Sequence, residues 1–583
     1  MAQRASRQKV SRQKALRRTA SRLTKLAGGV ALAIAIPMVA PVVALVNSVG
    51  EAGIDALRLH QTPFNITGAK IAIGQVEIGR PARYRLDKIP QQNRVVRVDQ
   101  VFRQDNPPLA NELVDGHATN VASVMISQDK RLTGVAPDAR LYSSAVGALR
   151  RGAQPEECLA SQTVAQQNGG DVRAINFSFG EPLARDPRPE AMLDGDALLT
   201  QCIDWSSNEH GVLYVIAGNQ GRGGIPIPTD LFNGLTVANS VQVDGAFTKV
   251  DFSSLGSEPE VIIGRREELE SNVGPRRSIS LVAPGSNLTM VNPDGSTIRA
   301  SGTSFAAPHV TATVALLQEY GDRQLQQNRP DWSLDSRNPQ VAKAVMLNAA
   351  DKIEDDSSGQ YLGMSRTLRT PRNQTWLDSD AYLDDTRPLS ADLGTGHLNA
   401  YRAYEQFSAG QQPPSGRSPD GTLGDPVSAQ GWDYRTVAED DAEDETGMPA
   451  YRDYVIDESL QAGSFVSITL AWSRKVTLND LDENSQYDLG ESFENHGLND
   501  LNLYLLPADE DDTDDSVWQS VSEVDSVEHI FQQIPETGRY KIRVVYEAQV
   551  NDAVQPYALA WWAAPSDSGA APSPELSPEL SPE

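Results

Sequence analysis

A parallel β-sheet covered by helices on both faces, followed by an antiparallel β-sandwich, is the fold class this 583-residue chain predicts. Three observations carry it. From about residue 65 to about residue 320, short apolar runs alternate with helix-like stretches, the pattern of strands buried on both faces. Over residues 408–425 the composition shifts to Gly, Gln, Pro and Ser, which reads as a linker. Beyond the linker, apolar and polar residues alternate between polar turns, as in half-buried antiparallel strands.

Taken in order, residues 1–25 hold nine Lys/Arg and no Asp/Glu, and an uncharged apolar run of 21 residues follows at 26–46. That order is the one of an export signal or an N-terminal membrane anchor, although Pro37 and Pro41 weaken a straight helix. The positive charges hold the N-terminus in the cytoplasm and send the rest across, so the expected location is extracytoplasmic: secreted, periplasmic or anchored. Only "SVG" at 48–50 offers a weak cleavage site, and cleavage stays open.

Residues 60–407 form the α/β unit, with "AKIAIGQV", "VRAINFSFG", "VLYVIAGN" and "GLTVANSV" as strands and Leu159–Asn168, Ala191–Glu209 and 339–350 as helices. Residues 426–564 form the sandwich, through "SFVSITLAW", "LNLYLLP", "SVEHIFQQI", "RYKIRVVYEA" and "YALAWWA". The acidic stretches Glu439–Glu445 and Asp509–Asp515 read as solvated loops, and the Ser-Pro-Glu repeats of 565–583 as a disordered tail.

Composition narrows the function classes. With 39% hydrophobic residues, 44 Gly and 36 Pro, the chain suits a loop-rich globular protein and not a coiled coil or a multi-span membrane protein. The net charge is −27, and setting aside the nine N-terminal charges leaves −36, an acidity that argues against a nucleic-acid partner. Cys158 and Cys202 match no zinc spacing; they are either two thiols or, in an exported chain, one disulfide. Oligomeric state is not legible.

Chemistry gathers in a few stretches. In "SGTSFAAPHV" (301–310), Ser304 follows Gly302 at the start of a helix, where backbone N–H groups and the helix dipole suit a nucleophile that passes through an oxyanion. An ordinary N-cap serine would look the same. A base is needed, and His117 in "DGHATNVASVMI" opens a stretch of helical spacing. His210 ends a polar helix and His309 lies in the serine's own helix, which leaves His117 the best candidate. Asn219, in a Gly-flanked turn after a buried strand, could donate to the oxyanion or could simply be a turn residue.

Together these motifs resemble the subtilisin-like serine proteases over about residues 65 to 405. "SGTSFAAPHV" resembles the family's serine motif, Pro308 included, and "GHATNVASVM" its histidine motif, with Ala118 where Gly is usual and Asn120 where a second His or Arg is common. "LTGVAPDARLY" and "SLVAPG" resemble flanking strands. "INFSFG" resembles the strand that binds substrate backbone, which implies Ser178, Phe179 and Gly180 as pocket wall. "VIAGNQG" resembles the oxyanion-hole segment, implying Asn219 as donor and Gly218 beside the substrate.

The family's orienting Asp falls here on Glu77, in "VEIG", with Ile78 for the usual hydroxyl residue. The resemblance implies a serine endopeptidase with Glu77, His117 and Ser304 as its triad. Asp87 or Asp115 as the acid, an inactive binding protein of the same fold, and another hydrolase such as an esterase are the alternatives. Only about 20 residues separate Val46 from Lys70, too few for the family's folding pro-domain, so none is expected. "NDLNLYL", "TGRYKIRV" and "QPYALA" resemble the jelly-roll-like sandwich appended to such proteases. No cofactor is required. Calcium is a candidate for the acidic loops, none of which shows a definite ligand spacing.

Overall fold

Apolar runs bounded by Gly, Pro or polar turns, five to nine residues long in the centre of the chain's α/β unit, are too short for helices and too uniformly apolar for one-sided sheets. In the computed structural model of the chain they form one nine-stranded sheet. The structure describes residues 45–88, 94–147, 153–218, 227–243, 245–250, 272–273, 275–415, 424–439 and 449–566. The basic segment and most of the apolar run, Asn219, residues 221–226, residues 416–423 of the linker, residues 440–445 of the first acidic stretch and nearly all of the tail lie outside them.

From one edge, the sheet runs Leu368–Arg369, Ala246–Lys249, Leu235–Val243, Leu213–Ala217, Val172–Phe177, Ala72–Glu77, Arg140–Ala145, Val98–Arg103, and Leu281–Pro284 pairs with Leu235–Val243 off this path. The central pairings are parallel. Every residue of Ala72–Glu77, Val172–Phe177 and Leu213–Ala217 is buried.

Alternation along these strands sends Ile73, Ala174 and Val215 to a core shared with the helices Gly116–Ile126 and Thr303–Gln326. Val76, Ile175, Phe177, Tyr214 and Ile216 face the helices Gln154–Ala165 and Leu198–His210 on the other side. A disulfide between Cys158 and Cys202 joins those two helices.

Two short helices, Leu45–Val49 and Ala56–His60, precede the first strand. They bury Val49, Ile54, Ala56 and Leu59 in the core of the serine helix, and Ser48 Oγ stands 3.0 Å from His309 Nε2. Packed structure therefore begins ahead of residue 60. Among the described residues no helix is long and apolar enough to cross a membrane.

The C-terminal region is two four-stranded antiparallel sheets. Gln430–Ala438, Val554–Ala563, Phe465–Trp472 and Val527–Gln533 make one; Tyr451–Val455, Tyr540–Ala548, Asp500–Pro507 and Trp518–Ser520 make the other. Ile468, Leu470, Leu503, Leu505, Ile542, Val544, Leu559 and Trp561 fill the space between them. The outer face of the first sheet lies on the helix Pro339–Asn348, where Ser467 Oγ and Thr469 Oγ1 donate to Asn348 Oδ1. Trp432 stacks on Phe407 and belongs to the α/β core.

Candidate active site

Parallel sheets open their binding crevices at the carboxyl ends of their strands. Glu77 is the last residue of its strand, and Ser178 and Gly218 directly follow the next two strands in the sheet. Glu77, Ser178 and Gly218 thus share the carboxyl end of the sheet. Gly79 turns the chain beneath Asp115: an added Cβ would meet Asp115 Cβ at 2.3 Å. Arg80 N donates to Leu113 O and Asp115 N to Arg80 O, which ties the end of the Glu77 strand to the start of the histidine helix.

Asp115 caps that helix, accepting from Ala118 N at 3.0 Å. His117, its second residue, has Nδ1 at 3.4 Å from Glu77 Oε2, the outer limit of a hydrogen bond. The Glu77 side chain is 3% exposed and that of His117 39%. Burial pulls the imidazole's pKa down, but the charge and hydrogen bond of Glu77 and the charge of Asp115 outweigh it, so the net shift is upward from 6.5. Asp87 is occupied elsewhere: both its oxygens take Arg80, at 2.8 Å each, along with backbone N–H groups of Arg83 and Asn111.

Ser304 is the second residue of the helix Thr303–Gln326. Its Oγ donates to Ser178 O at 3.1 Å, and Ser178 Oγ donates back to Ser304 O at 2.8 Å. Pro308 explains the second bond. In a helix the N–H four residues on would take the Ser304 carbonyl, and proline has none. The freed carbonyl accepts Ser178, whose Oγ in turn accepts from Asn176 Nδ2 at 2.8 Å. The His117 ring lies 5.5 Å from that of Phe305, the neighbour of Ser304. The Ser304 hydroxyl points to Ser178 and not to the imidazole, an open arrangement common in unliganded sites.

The rival histidines are elsewhere. His309 is fully buried between Phe305 O and Ser48 Oγ, and burial pushes its pKa down to about 4. His210 lies against Trp205, its pKa also lowered by burial. Gly218 has no room for a side chain, since an added Cβ would meet Thr236 Cγ2 at 2.8 Å.

One ligand set went unread in the sequence. Carboxylate oxygens of Asp480, Asp482 and Glu491 converge within 4.8 Å. With Asn484 and Asp488 they occupy positions 1, 3, 5, 9 and 12 of the run "DLDENSQYDLGE", the spacing of a calcium loop. Ser485 sits at position 6 with φ 60°, where such loops carry glycine. The spacing is legible in the sequence, in a run set apart from the acidic stretches Glu439–Glu445 and Asp509–Asp515. The expectation that no loop has a definite ligand spacing is thereby corrected for this run.

The family model described as "Subtilase family" matches residues 34–369. Subtilisin Savinase of Lederbergia lenta is 28% identical over 222 residues, 38% of this chain and 66% of that one. The alkaline protease of Alkalihalobacillus alcalophilus is 28% identical over 222 residues, 47% of its length. Thermitase of Thermoactinomyces vulgaris is 23% identical over 291 residues, 47% of this chain and 85% of that one. The match thus spans 47% to 66% of the length of the first two relatives. Since the family match takes in more than half of the chain, and the serine and histidine motifs lie inside it, the chain belongs to the subtilase family.

Proposed function

We propose that the chain is a serine endopeptidase acting through an acyl-enzyme, with Glu77, His117 and Ser304 as its triad. The observation that carries the reading is the meeting of Glu77 Oε2 and His117 Nδ1 at 3.4 Å, at the sheet edge where Ser304 and Ser178 are bonded to each other. Ser304 Oγ attacks the peptide carbonyl while His117 takes its proton and later delivers it to the leaving amine. Buried Glu77 keeps the imidazole in the tautomer with Nδ1–H and stabilises the imidazolium. Ser304 N–H and Asn219, the latter assigned from sequence, receive the oxyanion. Ser178, Phe179, Gly180 and Gly218 line the substrate backbone.

The substrate is a peptide or protein on the extracytoplasmic side. The donor set of Asp480–Glu491 is hard oxygen at calcium spacing, so these residues would hold a calcium ion and fix the loop. The test of the reading is labelling of the folded protein by a fluorophosphonate probe. A stoichiometric adduct on Ser304, lost in Ser304→Ala and in His117→Ala, is expected. Absence of the adduct would leave an inactive binding protein, and ester turnover without cleavage of any unfolded protein would leave a different hydrolase.

A further inference from the structure

Two residues before Glu77, a glutamine interrupts an otherwise apolar strand. Gln75 is fully buried, and by strand alternation its side chain leaves the sheet on the same face as those of Ile73 and Glu77. Its Nε2 donates to Ala118 O at 3.0 Å. Ala118 follows His117 in the histidine helix, and His117 Nδ1 meets Glu77 Oε2 at 3.4 Å. One strand thus reaches successive residues of one helix with two side chains. Glutamine and glutamate have the same number of methylenes, so the two spacers are equally long.

As a source of stability the Gln75 bond is poor. In an α-helix the Ala118 carbonyl already takes the N–H of Ala122, four residues on, so Gln75 adds a second donor to a satisfied acceptor. Its own Oε1, meanwhile, is buried with no hydrogen-bond partner. A stranded buried acceptor costs more stability than one such bond adds, and an apolar side chain of equal volume would avoid it. What the amide supplies is distance and direction. It fixes how far the start of the helix stands from the strand, at the residue beside the imidazole. Other ties of this helix run elsewhere: Asp115 N to Arg80 O, Ala82 N to Thr119 Oγ1 and Asn120 Nδ2 to Val291 O. None of these three involves the strand that carries Glu77. An aspartate at 77 would end about 1.5 Å short of a helix held at that distance.

We propose that Gln75 is a positioning residue for the proposed triad: by holding Ala118 O it sets the strand-to-helix spacing that a glutamate, and not an aspartate, spans to His117. This rests on the peptidase reading above. It also gives a physical reason for the longer acid, since Gln75 and Glu77 then work as a matched pair.

The test separates placement from support. Gln75→Met keeps the volume and loses the bond. In it, kcat on a peptide substrate is expected to fall by about 10–10² with KM unchanged, while the denaturant midpoint holds or rises. The ring-proton NMR titration of His117, identified by its absence in His117→Ala, should move from above 6.5 down towards it as the imidazole loses Glu77. Shortening both spacers is the converse. Gln75→Asn with Glu77→Asp is expected to be about tenfold more active than Glu77→Asp alone. An unmoved titration in Gln75→Met overturns the proposal, as does a lowered midpoint there or a double variant no faster than Glu77→Asp. The titration needs no turnover, so the two readings fail separately. Without fluorophosphonate labelling of the wild type the peptidase reading falls, and the titration alone then decides whether Gln75 places His117 against Glu77.

Discussion

Glu77 carries one methylene more than the aspartate usual at its position, and its Oε1 is buried with no hydrogen-bond partner. Only Oε2 engages His117, so the carboxyl group meets the imidazole through a single contact. That makes its effect on the imidazole separable. A general base works unprotonated, and Glu77 raises the pKa of His117, so the acid limb of kcat/KM lies above pH 6.5 and activity climbs as pH rises through it. Glu77→Gln keeps the shape and removes the charge. We expect kcat/KM to fall by about 10²–10⁴, with the acid limb displaced to lower pH. Glu77→Asp, shorter by about 1.5 Å, should fall between. A near-normal rate and an unmoved limb in Glu77→Gln would assign the orienting role to another acid. Asp115 is then the residue to test, because Asp87 is already saturated by Arg80.

Between the elements, two devices outside the proposed triad hold the site's surroundings. The Cys158–Cys202 disulfide joins the helices Gln154–Ala165 and Leu198–His210 across a sequence separation of 44. Removing that constraint from the unfolded chain costs about 4 kcal/mol in the loop-entropy account. Cys158→Ser with Cys202→Ser should therefore lower the denaturant midpoint strongly, with the slope rising as the unfolded chain expands. A loss under about 1 kcal/mol would mean that packing of Trp205, Val476 and Tyr487 around the sulfurs does the holding.

The run Asp480–Glu491 is the second device. Glu491 receives the N–H groups of Leu481 and Asp488, and Asp480 those of Asn484 and Ser485, so the loop is already wrapped for a cation. Tyr487, within it, packs in the same cluster as the two cysteines. Calcium at a hundred times its Kd should add about 2.7 kcal/mol to unfolding, read as a rise in Tm that EDTA reverses and Asp480→Ala or Glu491→Gln abolishes. Equal Tm in calcium and EDTA would show that the loop holds no ion.

What the sequence disclosed follows from how local each signal is. The serine and histidine stretches and the buried strands declare themselves within ten residues each, through spacing and a few small residues, and the sheet edge brings them together. Glu77 needed the family pattern as well, since a carboxylate at a strand end is ordinary. Val49, Ile54 and Leu59 lie in turns and single helical turns, with no period to mark them as core. The Gly, Gln, Pro and Ser of 408–425 read as a linker, and within its described part Gln411 N donates to Asp331 O, Gln412 N to Trp432 O and Ser415 N to Asp453 O.

Those bonds, together with Trp432 and Ala560 sharing a core with Phe407 and Val345, join the sandwich and the α/β unit into one packed body. Its centre is Arg474, on the sandwich side: Nε lies 2.6 Å from Asp204 Oδ2, with the two side chains 1% and 0% exposed, and Nη2 donates to Gly195 O. Phe232 covers the guanidinium, 4.4 Å from its ring. Removing one member of such a buried pair costs about 3–5 kcal/mol, because the other charge is left desolvated. Arg474→Ala should therefore lower the whole protein's stability by that amount in one cooperative transition, followed in parallel by tryptophan fluorescence and by active-site labelling. In Asp204→Asn with Arg474→Met most of the loss should be regained. Two separate transitions, with labelling surviving the first, would mean that the protease core stands without the sandwich.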